Sequence, residues 1–171
     1  MVYECDGNIR IRGKRENLIH FLRHELVPVY ELKDSLMEER PIFIEENCGG
    51  WSLILRRDPD TSNKVYFRGS NRYYIDMRDF DMELEMSDQK NTKSDQVICI
   101  ECLECPWNPD YEFFRQKAIR NKVDIRIFLF GKGKDWVSTT TWYRDGIVKD
   151  RSIKYADWLW DNPISGSPAI Y

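Results

Sequence analysis

The stretch from Val97 to Phe130 constrains the fold more than any other, because its hydrophobic pattern passes from strand to helix and back to strand. Val97-Ile-Cys-Ile-Glu-Cys-Leu-Glu-Cys105 is rich in β-formers and follows the polar run Ser87 to Asp95, so it reads as a strand leaving a loop. Pro106 removes a backbone donor and stops it. In Asn108-Pro109-Asp110, Asn108 is placed to accept a bond from a free N–H of the first helical turn. Pro109 fits the first helical position, and Asp110 complements the helix dipole. The spacing predicts a helix with Tyr111, Phe114 and Ala118 inward, Arg115, Gln116 and Lys117 largely outward, and a stop at Asn121. Val123 to Phe130 alternates and then turns wholly apolar, as a strand does when one face lies on the helix and its far end is covered on both. Gly131-Lys-Gly133 ends it. Asp135 to Tyr143 is again β-rich, with Val137, Thr139, Thr141 and Tyr143 on one face and Trp136, Ser138, Thr140 and Trp142 on the other. Arg144-Asp-Gly146 then predicts a hairpin into Ile147-Val148.

The first half of the chain carries the same grammar. Ile9-Arg10-Ile11-Arg12 alternates as a half-buried strand, and Glu16 to Leu26 follows as a helix with Leu18, Phe21, Leu22 and Leu26 on one side and His20 and His24 opposite; Pro28 ends it. Glu31 to Arg40 reads as a short helix or a loop. Pro41-Ile-Phe-Ile-Glu and Trp51-Ser-Leu-Ile-Leu-Arg are strands joined by a glycine turn at Glu46 to Gly50. Asp58 to Asn63 is the next turn, Lys64 to Arg68 a strand, Gly69 to Asn71 another turn, and Arg72 to Asp76 continues the sheet. From Asp79 to Met86 acidic and apolar residues alternate, with Phe80, Met82, Leu84 and Met86 sharing a face. Ser87 to Ser94 is a mobile-loop candidate.

At 171 residues and 42% hydrophobic composition, the chain is sized for one core, so residues 1–171 are expected to form a single domain with a short flexible tail at 164–171. Helices separated by runs of strands fit an α+β fold: a mostly antiparallel sheet with two helices on one face, a split βαβ, ferredoxin-like core and extra hairpins. A net charge of -3 on a mixed surface favours neither a general nucleic-acid binder nor an acidic DNA mimic. No apolar run approaches the roughly 20 residues needed to span a bilayer, and the start lacks a basic segment followed by an apolar block; a cytoplasmic protein is expected. Five cysteines, an odd number, favour reduced thiols over a disulfide framework.

Two short motifs resemble a known group. Glu4-Cys-Asp-Gly-Asn-Ile-Arg-Ile-Arg-Gly13 ahead of an amphipathic helix resembles the opening of the YubB-type ferredoxin-like family of phage and plasmid proteins. Cys105-Pro-Trp-Asn-Pro109 resembles that family's Trp-Ser-Pro-Pro turn. The chain differs in having Asn108 for Ser, Asp110 for the second Pro, and a long Gly69 to Ser94 region. The family carries no established chemistry; the resemblance implies an accessory protein of a mobile element.

Several clusters invite a chemical reading. Cys99-Ile-Glu-Cys102-Leu-Glu-Cys105 has two CxxC spacings, as in zinc or iron–sulfur sites, but on a strand Cys99 and Cys105 point one way and Cys102 the other. Convergence with Cys48 as a fourth ligand would need a knuckle, so buried or half-buried thiols are the favoured reading, with no metal and no cofactor. His20 and His24 have i, i+4 spacing but lack the Glu of an HExxH motif, and they read as exposed; no serine or cysteine nucleophile is marked beside them. Gly131-Lys-Gly-Lys134 lacks the P-loop ending and reads as a basic hairpin turn. Asp76, Asp79, Asp81, Glu83 and Glu85 lie close in sequence, Glu83 and Glu85 on the outer strand face.

The candidate binding residues are Trp136 and Trp142 with Arg126, Lys132 and Lys134, which would stack on bases or anchor a protein if the face opposite the helices were open. The competing reading folds Trp158 and Trp160 back over that face as core. No catalytic constellation stands out. The leading expectation is a non-enzymatic binding protein that blocks a host protein, such as a defence nuclease complex, by occupying its surface. The alternatives are a nucleic-acid-binding sheet face and a small carboxylate-dependent hydrolase.

Overall fold

The computed structural model describes residues 4–31, 37–39, 42–47, 52–56, 61–77, 81–87, 93–106, 108–130 and 136–157. In chain order the elements are β1 (Glu4–Gly13), α1 (Arg15–Glu25), β2 (Leu26–Glu31), β3 (Met37–Glu39), β4 (Phe43–Asn47), β5 (Ser52–Arg56), β6 (Thr61–Phe67), β7 (Tyr74–Asp76) and β8 (Met82–Glu85). β9 (Gln96–Pro106), α2 (Tyr111–Asn121), β10 (Asp124–Phe130), β11 (Trp136–Trp142) and β12 (Val148–Lys154) complete them. The fold is α+β. One nine-stranded sheet has the order β12-β11-β10-β1-β9-β7-β6-β2-β3, and β4-β5-β8 form a second sheet of three strands. The described pairings are antiparallel. No helix among the described residues is long and apolar enough to cross a membrane.

Alternation sorts the central strands into two sides. Ile9 and Ile11 of β1, Ile98 and Ile100 of β9, and Ile125, Ile127 and Leu129 of β10 are buried and belong to the same cluster as Leu18, Phe21 and Leu22 of α1 and Phe114 and Ala118 of α2. Rings connect these elements: Phe21 meets Phe67 at 6.4 Å, Phe67 meets Phe114 at 5.7 Å, and Phe114 meets Trp142 at 5.0 Å between centroids. Leu53 and Leu55 of β5 and Leu84 of β8 join the cluster, tying the small sheet to it. We refer to this as the core side of the large sheet.

Both helices bury a stripe at i, i+3, i+4 and i+7, and each stripe ends in polar residues. α1 buries Leu18, Phe21, Leu22 and Glu25; α2 buries Phe114, Lys117, Ala118 and Asn121. The expected inward set on α2 is therefore rotated: Tyr111 is 45% exposed, and Lys117, expected outward, is buried because its ammonium finds Glu25. The α2 cap lies at Asp110 rather than Asn108: its carboxylate accepts the backbone N–H groups of Glu112 and Phe113, so Pro109 precedes the helix. At the other end Lys122 takes a left-handed conformation, φ 55°, after Asn121. His20 and His24 are exposed, as the spacing predicts, and their ring centroids lie 4.0 Å apart with the planes tilted by 30°.

Further expectations are revised. α1 gives way at Leu26 directly to β2, which contains Pro28, and Met37–Glu39 within the expected helix or loop is a strand. Thr61 to Asn63, expected in a turn, already belongs to β6. The cysteine strand is bulged: pairing steps from Gly7↔Leu103 to Ile9↔Ile100, so Asn8 faces both Glu101 and Cys102, and Cys102 takes φ 61°. Cys99 consequently pairs with Arg10 and Cys105 with Cys5, on opposite sides of the sheet, not on one side as simple alternation implies. Among the described residues no three His, Cys, Asp or Glu side chains gather as a metal site. Cys48, the segment 131–135 with Lys132 and Lys134, Trp158 and Trp160, the tail 164–171 and the centre of the Ser87 to Ser94 loop lie outside the described residues.

Candidate functional site: a cationic row on the sheet

Away from the core side, the alternation that buries Ile9, Ile11, Ile125 and Ile127 delivers Arg10, Arg12 and Arg126 to the other side of the sheet. The register then sets them in line. Arg10 stands directly across from Arg126, Arg126 from Thr141, Thr141 from Lys149, and Cys99 flanks Arg10 from β9. At about 4.8 Å per strand the row crosses roughly 19 Å of sheet. One step along, Thr139 pairs with Arg151 and with Phe128. Arg10, Arg12, Val97, Asp124, Ile125, Arg126 and Thr141 line a cleft of about 160 Å³.

The cations of this row differ in how they are held. Arg12 donates from Nε (2.8 Å) and Nη2 (2.7 Å) to Asp124 Oδ2. Asp124 also accepts the backbone N–H and Nε of Arg144, and Arg144 Nη2 donates to Asp95 at 2.8 Å. Burial would raise the Asp124 carboxyl, but the bonds from Arg144 and Arg12 outweigh it and hold the group below the usual carboxylate range. Arg126 gives Nε to Thr141 Oγ1 at 2.9 Å. The Arg10 guanidinium lies over the Phe128 ring, 4.9 Å from its centroid, and Cys99 stands across from Arg10 on β9. Lys149 sits over Tyr143 at 5.6 Å. Among the described residues, Arg10, Arg126, Lys149 and Arg151 have no carboxylate partner. Two arginines directly opposed across an antiparallel pair are destabilising, so this register carries a cost that an anionic ligand would offset.

The chemistry available here is recognition of anions. Burial pushes the Cys99 thiol up, against the pull of Arg10, so it is not a ready thiolate nucleophile. The Asp124 carboxylate is committed to two arginines. Of the carboxylates of the sequence cluster, Asp76 lies on β7, Asp81 pairs with Arg56 at 2.8 Å beside the small sheet, Glu83 on β8 accepts the Ser52 hydroxyl at 2.5 Å, and Asp79 lies outside the described residues. Glu83 and Glu85 are exposed, as expected for an outer strand face.

Of the candidate binding residues read from the sequence, Arg126 falls in the row. Trp142 does not: its side chain is 0% exposed on the core side, donating Nε1–H to the Tyr111 carbonyl. Trp136 shares that parity and is 43% exposed at the far end of β11, so neither tryptophan stands beside Arg126. Arg10, Arg12, Thr141, Lys149 and Arg151 were not singled out by sequence. Their signal was present in Ile9-Arg-Ile-Arg12, but only the strand order brings β1 beside β10. No protein-family model, curated protein or solved structure shows significant similarity to the chain.

Proposed function

We propose that the protein is a non-enzymatic binding module that holds single-stranded nucleic acid on this side of its large sheet. One observation carries the reading: Arg10 and Arg126 are opposed in register, continued by Lys149, with no carboxylate to neutralise them among the described residues. Cations backed by aromatic rings, Arg10 over Phe128 and Lys149 over Tyr143, suit a backbone-and-base ligand better than a small anion. The order β10-β1-β9, with α2 linking β9 to β10, supports kinship with a split βαβ, ferredoxin-like core in which both helices shield the other side.

The test is fluorescence anisotropy with labelled single-stranded oligonucleotides across a salt series. Three phosphate contacts, from Arg126, Lys149 and Arg151, give a log–log salt slope of about -2. Absence of binding at low salt, or equal competition by polyglutamate, would contradict the reading and point to an acidic protein partner instead.

A second reading is supported by an apolar ridge where α2 runs along the β11–β12 hairpin: Tyr111 is 45%, Ile119 38% and Ile147 52% exposed. Together with the resemblance to mobile-element proteins, it fits surface occupation of a host protein such as a defence nuclease complex. A host protein retained by the wild type and released by Ile119→Asp would support that reading; equal retention by both would oppose it.

A further inference from the structure

We propose that, within the nucleic-acid reading above, Arg10 and Arg126 divide the labour: Arg10 is a stacking platform for one nucleobase, and Arg126 is the fork that holds the adjoining phosphate. The two residues are identical in type and opposed in register, yet their surroundings differ. The Arg10 guanidinium lies 4.9 Å from the centroid of the Phe128 ring, which backs it against the sheet, and Cys99 flanks it from β9. Phe128 is itself only 7% exposed and has little face to offer a base; Arg10, half-buried above it, extends the stack outward. Guanidinium planes accept bases in this way, and a lysine ammonium does not.

Arg126 has the other character. It is exposed, and its Nε is spent on the Thr141 hydroxyl, which aligns the side chain and leaves the two Nη groups as donors. That is the geometry of a two-pronged grip on phosphate oxygens. The two positions are separated by one inter-strand step of about 5 Å, so a plane for a base and a fork for a phosphate stand side by side. A nucleotide presents the same pair of features, joined through one sugar. Arg12 cannot take either part, because both of its bonds go to Asp124.

The two arginines are expected to respond differently to charge-conserving substitution. Using a labelled thymidine octamer and an abasic octamer of the same length, Arg10→Lys weakens octamer binding by about tenfold with an unchanged salt slope, and binds the abasic strand as the wild type does. Arg126→Lys, which keeps the charge and loses the fork, weakens both strands equally with an unchanged salt slope, and Arg126→Gln lowers the salt slope by about 0.7. Thermal melts verify that each variant is folded. The division of labour is overturned if Arg10→Lys binds the octamer like wild type, or if it loses as much on the abasic strand. Wild-type protein that fails to bind the octamer at low salt overturns the nucleic-acid reading and this inference with it, whereas binding without the predicted contrast overturns only the latter.

Discussion

Lys117 Nζ lies 2.5 Å from Glu25 Oε2, with the two side chains 4% and 0% exposed. The pair bolts the last turn of α1 to the middle of α2. Glu25 also accepts Arg120 at 2.6 Å and the Asn121 amide at 2.7 Å, and Lys117 donates to the Arg68 carbonyl at 2.7 Å. All these donors converge on one buried carboxylate, so removing it strands a buried ammonium. Glu25→Ala is expected to cost about 3–5 kcal/mol in urea unfolding, whereas Glu25→Met with Lys117→Met is expected to recover most of the loss. If the double variant is as unstable as the single one, the cost lies in packing and not in the unpaired charge.

Acid should act through the same groups. Burial would raise the Glu25 carboxyl, but bonds from Lys117, Asn121 and Arg120 outweigh it, and its pKa is lowered in the folded state, as is that of Asp124. A lowered native pKa contributes stability that is fully present above the unfolded values, ~4.3 for Glu and ~3.9 for Asp, and that is lost as pH falls through the native ones. Urea midpoints measured from pH 7 downward should hold until about pH 4.5 and then fall. Glu25→Gln should start lower and fall less.

Gly7 is fixed by close approach rather than by a turn. A Cβ there would meet the Phe128 carbonyl oxygen at 2.2 Å and Leu129 Cδ2 at 2.9 Å, and the first contact is backbone. Gly7→Ala is expected to destabilise by about 1–3 kcal/mol, measured by thermal melting, because β1 and β10 must move apart. A neutral substitution would mean that the strands are not so closely apposed.

On the proposed reading, the opposed arginines trade stability for binding. Arg126→Thr removes the like-charge pair with Arg10 and places a β-former in a strand, so it should raise stability by about 0.2–1 kcal/mol while weakening oligonucleotide binding. A variant that loses stability as well would show that the cation serves the fold.

Much of this architecture was legible in sequence and some of it was not, for reasons tied to particular residues. The strand at Val97, the helix after it and the hairpin at Arg144 to Gly146 follow from local chemistry; Gly146 takes φ 90° and its N–H closes on the Tyr143 carbonyl. Lys117 was misplaced because a hydrophobic stripe that ends in a charge is readable only once Glu25 is known to face it. Period-two counting puts Cys99 and Cys105 on one side because it cannot see the bulge at Cys102. Of the proposed site, Arg126 was visible as a polar position on an apolar strand. Arg10 is equally visible as a polar position on β1, but its place beside Arg126 is not, because β1 and β10 are far apart in sequence and only the strand order makes them neighbours.

On the proposed reading the cationic row, and not the apolar ridge, is the ligand-binding surface. Titrating an isotope-labelled sample with a single-stranded oligonucleotide and following backbone amide shifts tests it most directly. The largest changes are expected at Arg10, Arg126, Thr141 and Lys149. Changes confined to Ile119 and Ile147, or none at any strand of the row, would contradict it.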